Sequence, residues 1–207
     1  MEVLPEIYEH VKKRMKKNNP AHDFEHVLRV CQNAENLCIK EKANKKLVLY
    51  AALLHDIVSY PKNHKKSKSS STKSSLEAKK ILQKFSFPDD EIKIITDAIS
   101  SHSFSKNKMA KTFEGKILQD ADRLDAIGAI GIARTFAVGG SESRSFYNKL
   151  DPFCNKRKPD DKSWTLDHFF KKLLLIENKM NTSSGKNEAK LRTKILRNFL
   201  SDLKREI

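Results

Sequence analysis

The segment from about Asn44 to Val58 constrains the fold most, because it is apolar on nearly every side when it is written as a helix. A helix of this kind is stable only when other elements cover it. The sequence therefore predicts a central helix, surrounded by several neighbours. The apolar positions that give this pattern are Leu47, Leu49, Ala51, Ala52, Leu53, Leu54 and Ile57.

The rest of the chain supplies helical neighbours. The 207 residues include only 6 Gly and 6 Pro, and no clean apolar–polar alternation is framed by turn residues, so a β-sandwich or barrel is disfavoured. We predict an all-α helical bundle of about eight helices, forming one domain over residues 1–207. Besides the central helix, the predicted helices cover residues 2–17, 23–40, 76–85, a segment that begins near Pro88, 113–137, 164–180 and 187–205.

Two segments lack a helical pattern. Residues 60–75 form a Lys- and Ser-rich stretch that we predict to be an exposed, mobile loop. Residues 141–163 form a second irregular stretch, which follows Gly139 and Gly140 at the predicted end of the long helix.

The charge and cysteine content limit the partners and the compartment. Lys and Arg number 41 against 26 Asp and Glu, a net charge of +15, which favours anionic partners, although a lysine-coated surface would give the same excess. The three cysteines form no CxxC pair, which fits a reducing compartment. The start of the chain has no apolar signal region, and no long apolar run occurs. We expect a cytoplasmic protein that does not cross a membrane.

Four groups of ionisable residues interrupt the helical patterns. They are His26, the pair His55–Asp56, His102, and the carboxylates of residues 118–126. Each is weak evidence alone: a buried histidine is more often a hydrogen-bonded core residue, a helix-end histidine often faces the helix dipole, and an acidic helix segment is often solvated. Carboxylates on the packing face of a helix, however, need a nearby cation.

Taken together, four of these residues form a mixed nitrogen and oxygen set on predicted helices: His26, His55, Asp56 and Asp122. Such a set suits one divalent ion, namely Mn²⁺, Fe²⁺, Co²⁺, Ni²⁺, Zn²⁺ or Mg²⁺. Four protein ligands leave coordination positions open, which is what a hydrolytic metal site requires.

The order H…HD…D resembles the HD-domain metal-dependent phosphohydrolase superfamily. The strings AHDFEHVLRV, AALLHDI, ISSHSF and LQDADRLDAIGAIGIAR resemble its small stand-alone bacterial and archaeal branch. The resemblance covers about residues 20–140 and leaves 141–207 as a C-terminal helical extension. It implies an all-α fold in which the metal ligands are His26, His55, Asp56 and Asp122. It also implies hydrolysis of phosphate esters or anhydrides. Characterised relatives of this branch cleave nucleoside triphosphates to monophosphate and pyrophosphate, which implies a small anionic nucleotide as the substrate.

One departure concerns the group that activates water. Some relatives carry an acidic residue three positions after the HD aspartate, where this chain has Ser59. Our candidates for a replacement are, in order, Asp125, Asp23 and His102. Candidate phosphate-binding residues are Lys62, His64, Lys65, Lys66, Lys116 and Arg123, although any single lysine is also explained as a solvated surface residue.

Two alternatives stay open at the level of sequence. The chain could be a phosphomonoesterase that acts on nucleoside monophosphates, or a non-catalytic basic module that binds nucleic acid or regulates a partner. Against the second stand the lack of a helix-turn-helix, zinc-finger or aromatic RNA-binding signature and the low count of 16 aromatic residues. The sequence leaves open whether the chain forms a homodimer.

Overall fold

The computed structural model describes residues 2–15, 23–60, 65, 69–104 and 109–207. The chain divides into two compact units. Unit 1 comprises Met1–Asp122 and Asn181–Gly185, and unit 2 comprises Arg123–Met180 and Lys186–Ile207. The single domain expected over residues 1–207 stays a prediction.

The described residues form nine α-helices and no strand, which confirms the all-α prediction. The described residues also include two 3₁₀ turns, Leu173–Leu175 and Glu177–Lys179, and one isolated bridge between Ser145 and Trp164. The helices are α1 (Pro5–Met15), α2 (Phe24–Glu41), α3 (Lys45–Leu54), α4 (Ser70–Lys84), α5 (Asp89–Ser101), α6 (Phe113–Asp125), α7 (Gly128–Ser141), α8 (Asp167–Lys171) and α9 (Ser183–Glu206).

Helix α3 is the centre of unit 1, as its apolar sequence predicts. All eight residues from Leu47 to Leu54 are buried, and the helix packs against α2, α4 and α5. The Asn44 side chain starts the helix by accepting a hydrogen bond from the Leu47 backbone N–H at 3.2 Å. Helix α3 ends at Leu54, earlier than predicted, so the His55–Asp56 pair lies just beyond its last turn.

The predicted loop 60–75 is wrong over its second half, because α4 already begins at Ser70. Ser71 and Ser74 are buried, and their hydroxyls bond to backbone groups of other segments. Ser74 accepts from the Val58 N–H and donates to the Val58 carbonyl, both at 3.1 Å. These contacts stabilise a helix that a Lys/Ser-rich sequence does not predict by itself. Residues 61–64 and 66–68, on which the mobile-loop prediction also rests, lie outside the described residues.

The long helix predicted over 113–137 is two helices, α6 and α7, and α7 continues past Gly139 and Gly140 to Ser141. The chain turns at Ala126 and Ile127 and enters α7 through Gly128, whose φ of +78° favours glycine. At Gly131, a Cβ would lie 2.3 Å from the carbonyl oxygen of Ala126. The small residues therefore permit a tight turn of the chain on itself.

The helix predicted over 164–180 is wrong in its length. It is replaced by the five-residue helix α8 and the two 3₁₀ turns. The preceding irregular stretch is held by Asp167, a fully buried carboxylate that accepts hydrogen bonds from both terminal nitrogens of Arg157 at 2.5 and 2.8 Å. The Arg157 guanidinium also lies 4.4 Å from the centre of the Trp164 ring. These side chains give unit 2 an ordered segment without helix or strand.

Within the described ranges, no helix combines the length and the apolar character needed to cross a membrane.

Candidate metal centre

The first side chain of the site comes from the first turn of α2. Asp23 precedes this helix, and its Oδ1 accepts a hydrogen bond from the His26 backbone N–H at 2.8 Å. This cap fixes the start of the helix, so the His26 ring enters the interior, where the residue is buried.

The second and third side chains come from the end of α3. His55 and Asp56 are both buried, because the most apolar helix of unit 1 carries them inward. His55 Nδ1 lies 2.6 Å from the Ala52 carbonyl oxygen and donates to it, which leaves the Nε2 lone pair free to face the interior. Burial lowers the pKa of His55 to about 4, so its ring is neutral near pH 7.

The fourth side chain, Asp122, comes from α6 and completes a convergent group. His26 Nε2 lies 3.3 Å from His55 Nε2, 3.6 Å from Asp122 Oδ1 and 3.9 Å from Asp56 Oδ2. His55 Nε2 lies 3.7 Å from the same Asp56 oxygen. Ligands bound to one ion at about 2.0–2.2 Å lie roughly 3–3.5 Å apart, so these separations are close to those of a coordination shell.

The chemistry of these donors also fits a cation. Two buried ring nitrogens and the oxygens of two carboxylates point toward one another, an arrangement that needs a positive charge between them. His26, His55 and Asp56 alone already place one ligand atom each within 4.8 Å of the others. The residues present therefore match a divalent ion with mixed nitrogen and oxygen ligands.

His102 lies beside these four residues, at the C-terminal end of α5. Its ring is 5.0 Å from the His55 ring, and its Nε2 is 3.6 Å from Asp56 Oδ1, the carboxylate oxygen that does not face the other histidines. Its Nδ1 donates to the Ile99 carbonyl at 2.7 Å, the same arrangement as at His55. We call His26, His55, Asp56, His102 and Asp122 the histidine–aspartate cluster.

Electrostatics within the cluster favour the ionised form of Asp122. Burial raises the pKa of Asp122, but His55, His26 and His102 outweigh that effect and hold the pKa below its ordinary value. Burial lowers the pKa of His102, yet the hydrogen bond and charge of Asp56 outweigh it and raise that pKa above 6.5. The Asp122 side chain is 23% exposed, against at most 9% for the other four, so the cluster reaches solvent at Asp122.

The other two carboxylates of the acidic segment have partners of their own. Asp120 is fully buried and accepts hydrogen bonds from the backbone and side chains of Asn181 and Thr182. Asp125 belongs to unit 2, where its Oδ2 accepts from Arg134 at 2.5 Å. Of the three carboxylates, Asp122 is the one that the structure brings to the histidines.

The remaining predicted residues occupy varied environments. Ser59 and Lys116 are half-buried and Lys65 is exposed. Arg123 belongs to unit 2, where its guanidinium donates to the Lys179 carbonyl. Lys62, His64 and Lys66 lie outside the described residues. Of the candidates for water activation, Asp23 caps α2 and Asp125 pairs with Arg134, whereas His102 lies in the cluster.

Sequence reasoning missed Gln119, which is fully buried next to the acidic segment and bonds to the residue before His102. The available signal was an uncharged polar residue directly after the apolar pair Ile117–Leu118 and directly before the acidic residues of α6.

Comparison with known proteins identifies the family. The family model described as HD domain matches residues 23–127, which include all five residues of the histidine–aspartate cluster. The chain belongs to the HD-domain family. This confirms the resemblance seen in the sequence.

A relative from Bacillus subtilis matches the chain over nearly its whole length. The YpgQ protein of Bacillus subtilis (strain 168) is 34% identical over 192 residues, which cover 90% of this chain and 84% of YpgQ. The crystal structure of Bacillus subtilis YpgQ in complex with ADP has a TM-score of 0.75 and 28% identity, covering 98% of this chain and 93% of that one.

A second solved relative is an HD-superfamily hydrolase from Bacillus thuringiensis, with a TM-score of 0.76, 32% identity, and coverage of 97% of this chain and 94% of that one. This chain is accordingly an HD-superfamily hydrolase with a site suited to a divalent metal.

Proposed function

We propose that this HD-superfamily hydrolase cleaves nucleoside triphosphates to the monophosphate and pyrophosphate, with one divalent ion held by His26, His55, Asp56 and Asp122. The observation that carries the proposal is the convergence of two inward-facing ring nitrogens and two carboxylates in one site. When bound, such an ion lowers the pKa of water and polarises a phosphoryl group.

The protein's own residues prepare the site for that chemistry. The carbonyls of Ala52 and Ile99 hold His55 and His102 with Nε2 facing inward. Asp56 faces His26 and His55 through Oδ2 and His102 through Oδ1. We propose His102 as the first candidate to contact the reacting water or a phosphate oxygen, because Asp23 and Asp125 each use a carboxylate oxygen elsewhere.

A nucleotide substrate is supported by two further observations. YpgQ, which is similar over nearly the whole chain, has been crystallised with ADP. The net charge of +15 also favours a polyanionic substrate. We include Lys65, Lys116 and Arg123, together with Lys62, His64 and Lys66, as proposed phosphate-binding residues. A triphosphate requires several cations to offset its charge.

Hydrolysis in ¹⁸O-labelled water tests which bond breaks. The protein is incubated with Mn²⁺ and a panel of nucleoside triphosphates, and products are read by mass spectrometry. Attack at the α-phosphorus places the label in the monophosphate and leaves the pyrophosphate unlabelled, with no nucleoside diphosphate, whereas label in the pyrophosphate would show attack at the β-phosphorus. Label in orthophosphate with accumulating diphosphate contradicts the proposal. Release of nucleoside and orthophosphate from a monophosphate, with triphosphates untouched, would favour a phosphomonoesterase.

A further inference from the structure

Gln119 has both ends of its side-chain amide engaged inside unit 1. The residue is fully buried on α6. Its Nε2 donates to the Ser101 carbonyl oxygen at 2.7 Å, and its Oε1 accepts from Asn181 Nδ2 at 3.1 Å. A buried amide with both ends satisfied fixes the groups on either side of it.

The Ser101 carbonyl belongs to the peptide group that carries the His102 nitrogen. That nitrogen donates to the Ile99 carbonyl at 3.4 Å, and the His102 ring donates to the same carbonyl at 2.7 Å. Gln119 thus holds the opposite edge of the peptide from which the His102 side chain starts. The ring is fixed from its own helix and from α6 together.

Asn181 sets the orientation of the Gln119 amide. The Asn181 Nδ2 that donates to Gln119 also donates to Asp120 Oδ1 at 2.8 Å. If the Gln119 amide were reversed, its NH₂ group would face the Asn181 NH₂ group, and its oxygen would face the Ser101 carbonyl. Both contacts are repulsive, so Gln119 is held as a donor to Ser101.

We propose that Gln119 is a positioning residue that keeps the His102 ring against Asp56. The inference rests on the proposed function, in which His102 contacts the reacting groups. His102 Nε2 lies 3.6 Å from Asp56 Oδ1, so a small rotation of the Ser101–His102 peptide displaces the ring from the cluster. Displacements of this size slow reactions strongly, because the reacting groups must lie within narrow limits.

Two variants of Gln119 test the proposal. Gln119→Met removes both hydrogen bonds at similar volume, and Gln119→Glu keeps an acceptor for Asn181 but loses the donor to Ser101. Both should lower kcat for ATP with Mn²⁺ at least about tenfold, while KM and Mn²⁺ affinity change less than about threefold. An unchanged kcat, or a matching loss of Mn²⁺ affinity, overturns the proposal, as does unfolding of both variants at the assay temperature.

Ser75→Ala is the matched control. Ser75 also ties a neighbouring helix to α5, through a 2.9 Å hydrogen bond from its hydroxyl to the Thr96 carbonyl, but not beside His102. It should lower thermal stability without lowering kcat. A similar fall in kcat in this control would show that any loosening of α5 suffices, which would overturn a specific role for Gln119.

A double-mutant cycle separates positioning from a general structural effect. In a His102→Ala background, Gln119→Met should lower kcat no further, because the ring that it positions is gone. Equal losses with and without His102 overturn the proposal.

A readout without turnover keeps this inference distinct from the proposed function. NMR of the ¹⁵N-labelled His102 ring should show an Nδ1–H signal shifted by its hydrogen bond to the Ile99 carbonyl in the natural protein, and a loss of that shift in Gln119→Met. If ATP is not hydrolysed but this change is seen, the proposed function fails and the positioning stands. An unchanged His102 signal overturns the positioning whatever the activity.

Discussion

Two groups of polar side chains lie in the interior of unit 1, and the charge of their carboxylates is compensated in different ways. In the first, which we call the Asp120 node (Asp120, Asn181 and Thr182), the carboxylate accepts hydrogen bonds of 2.8–3.1 Å from two backbone N–H groups, an amide and a hydroxyl. In the second, the histidine–aspartate cluster, ring nitrogens and carboxylate oxygens face one another at 3.3–3.9 Å.

The difference shows what distinguishes a structural carboxylate from a functional one on the same helix. Asp120 and Asp122 are two residues apart on α6. The chain supplies Asp120 with donors, so burial of that charge stabilises the fold. Around Asp122 the neighbouring groups are histidine nitrogens and the Asp56 carboxylate rather than hydrogen-bond donors, an arrangement that a bound cation stabilises.

The largest effect should come from removing a cluster ligand. His55→Ala and Asp56→Ala should each lose bound metal and lower kcat about a thousandfold or more, because the ion supplies several kcal/mol of transition-state stabilisation. Metal content by mass spectrometry and turnover of ATP measure the two losses. Full metal occupancy in both variants would show that the ligands are wrongly assigned.

Removing the carboxylate of the node should affect stability instead. Asp120→Ala leaves the donors of half-buried Asn181 and buried Thr182 without their acceptor, so the free energy of unfolding should fall by about 3–5 kcal/mol. Urea titration with a chelator present measures it. The matched control, Asp122→Ala, should change stability by less than about 1 kcal/mol but abolish Mn²⁺ binding. The reverse pattern would contradict the distinction between the two aspartates.

With a chelator present, His55 and His102 should make the free energy of unfolding depend on pH in opposite directions. Burial holds the folded-state pKa of His55 near 4, below its ordinary 6.5, so its contribution to stability is complete above pH 6.5. That contribution, on the order of 3 kcal/mol, is lost as the pH falls from 6.5 toward 4. The pKa of His102 is raised, so its contribution is complete below pH 6.5 and is lost as the pH rises through the raised value.

Urea unfolding at a series of pH values tests these two windows. The difference in free energy of unfolding between the natural protein and His55→Gln should change on the acid side of pH 6.5, and the difference with His102→Gln on the alkaline side. Differences that do not vary with pH would contradict the assigned directions.

The smallest expected effect concerns how closely Gly185 packs against the Asp120 node. At Gly185 an added Cβ would lie 2.5 Å from Asp120 Oδ2 and 2.8 Å from Thr182 Oγ1. Gly185→Ala should therefore lower the free energy of unfolding by about 1–3 kcal/mol. Gly140→Ala is the control: its Cβ would meet nothing within 4 Å on the exposed side of α7. It should be neutral or stabilise by up to about 1 kcal/mol. Equal effects would show that contact with Asp120 is not the cause.

The sequence predicts the elements whose burial follows from their own pattern. Helices α2 and α3 are nearly where their apolar spacing places them, and the four proposed ligands converge. The start of α4 could not be predicted, because Ser71 and Ser74 are held by backbone groups far along the chain. The break between α6 and α7 was missed, because small residues continue a helical pattern that the close approach of Gly131 to Ala126 interrupts.

The role of Asp120 could not be predicted from neighbouring residues. Its donors are 61 and 62 positions away, in the segment Asn181–Gly185, which lies between the helices predicted over 164–180 and 187–205. Asn, Thr and Ser at such a point are typical of a helix start, and α9 begins at Ser183. That local signal predicts a helix start, but it does not predict that the residues before the helix donate hydrogen bonds to Asp120.

The Asp120 node also sets the shortest stretch of this chain that is expected to fold with its site intact. The family match ends at residue 127, but Asp120 and Gln119 receive their hydrogen bonds from residues 181 and 182. Expression of residues 1–127 or 1–180 alone would leave a buried charge bare two positions before Asp122. Adding residues 181–207 as a separate peptide to the fragment 1–180 should restore those bonds. The bond between residues 180 and 181 is therefore a natural place to divide the protein into two complementing fragments.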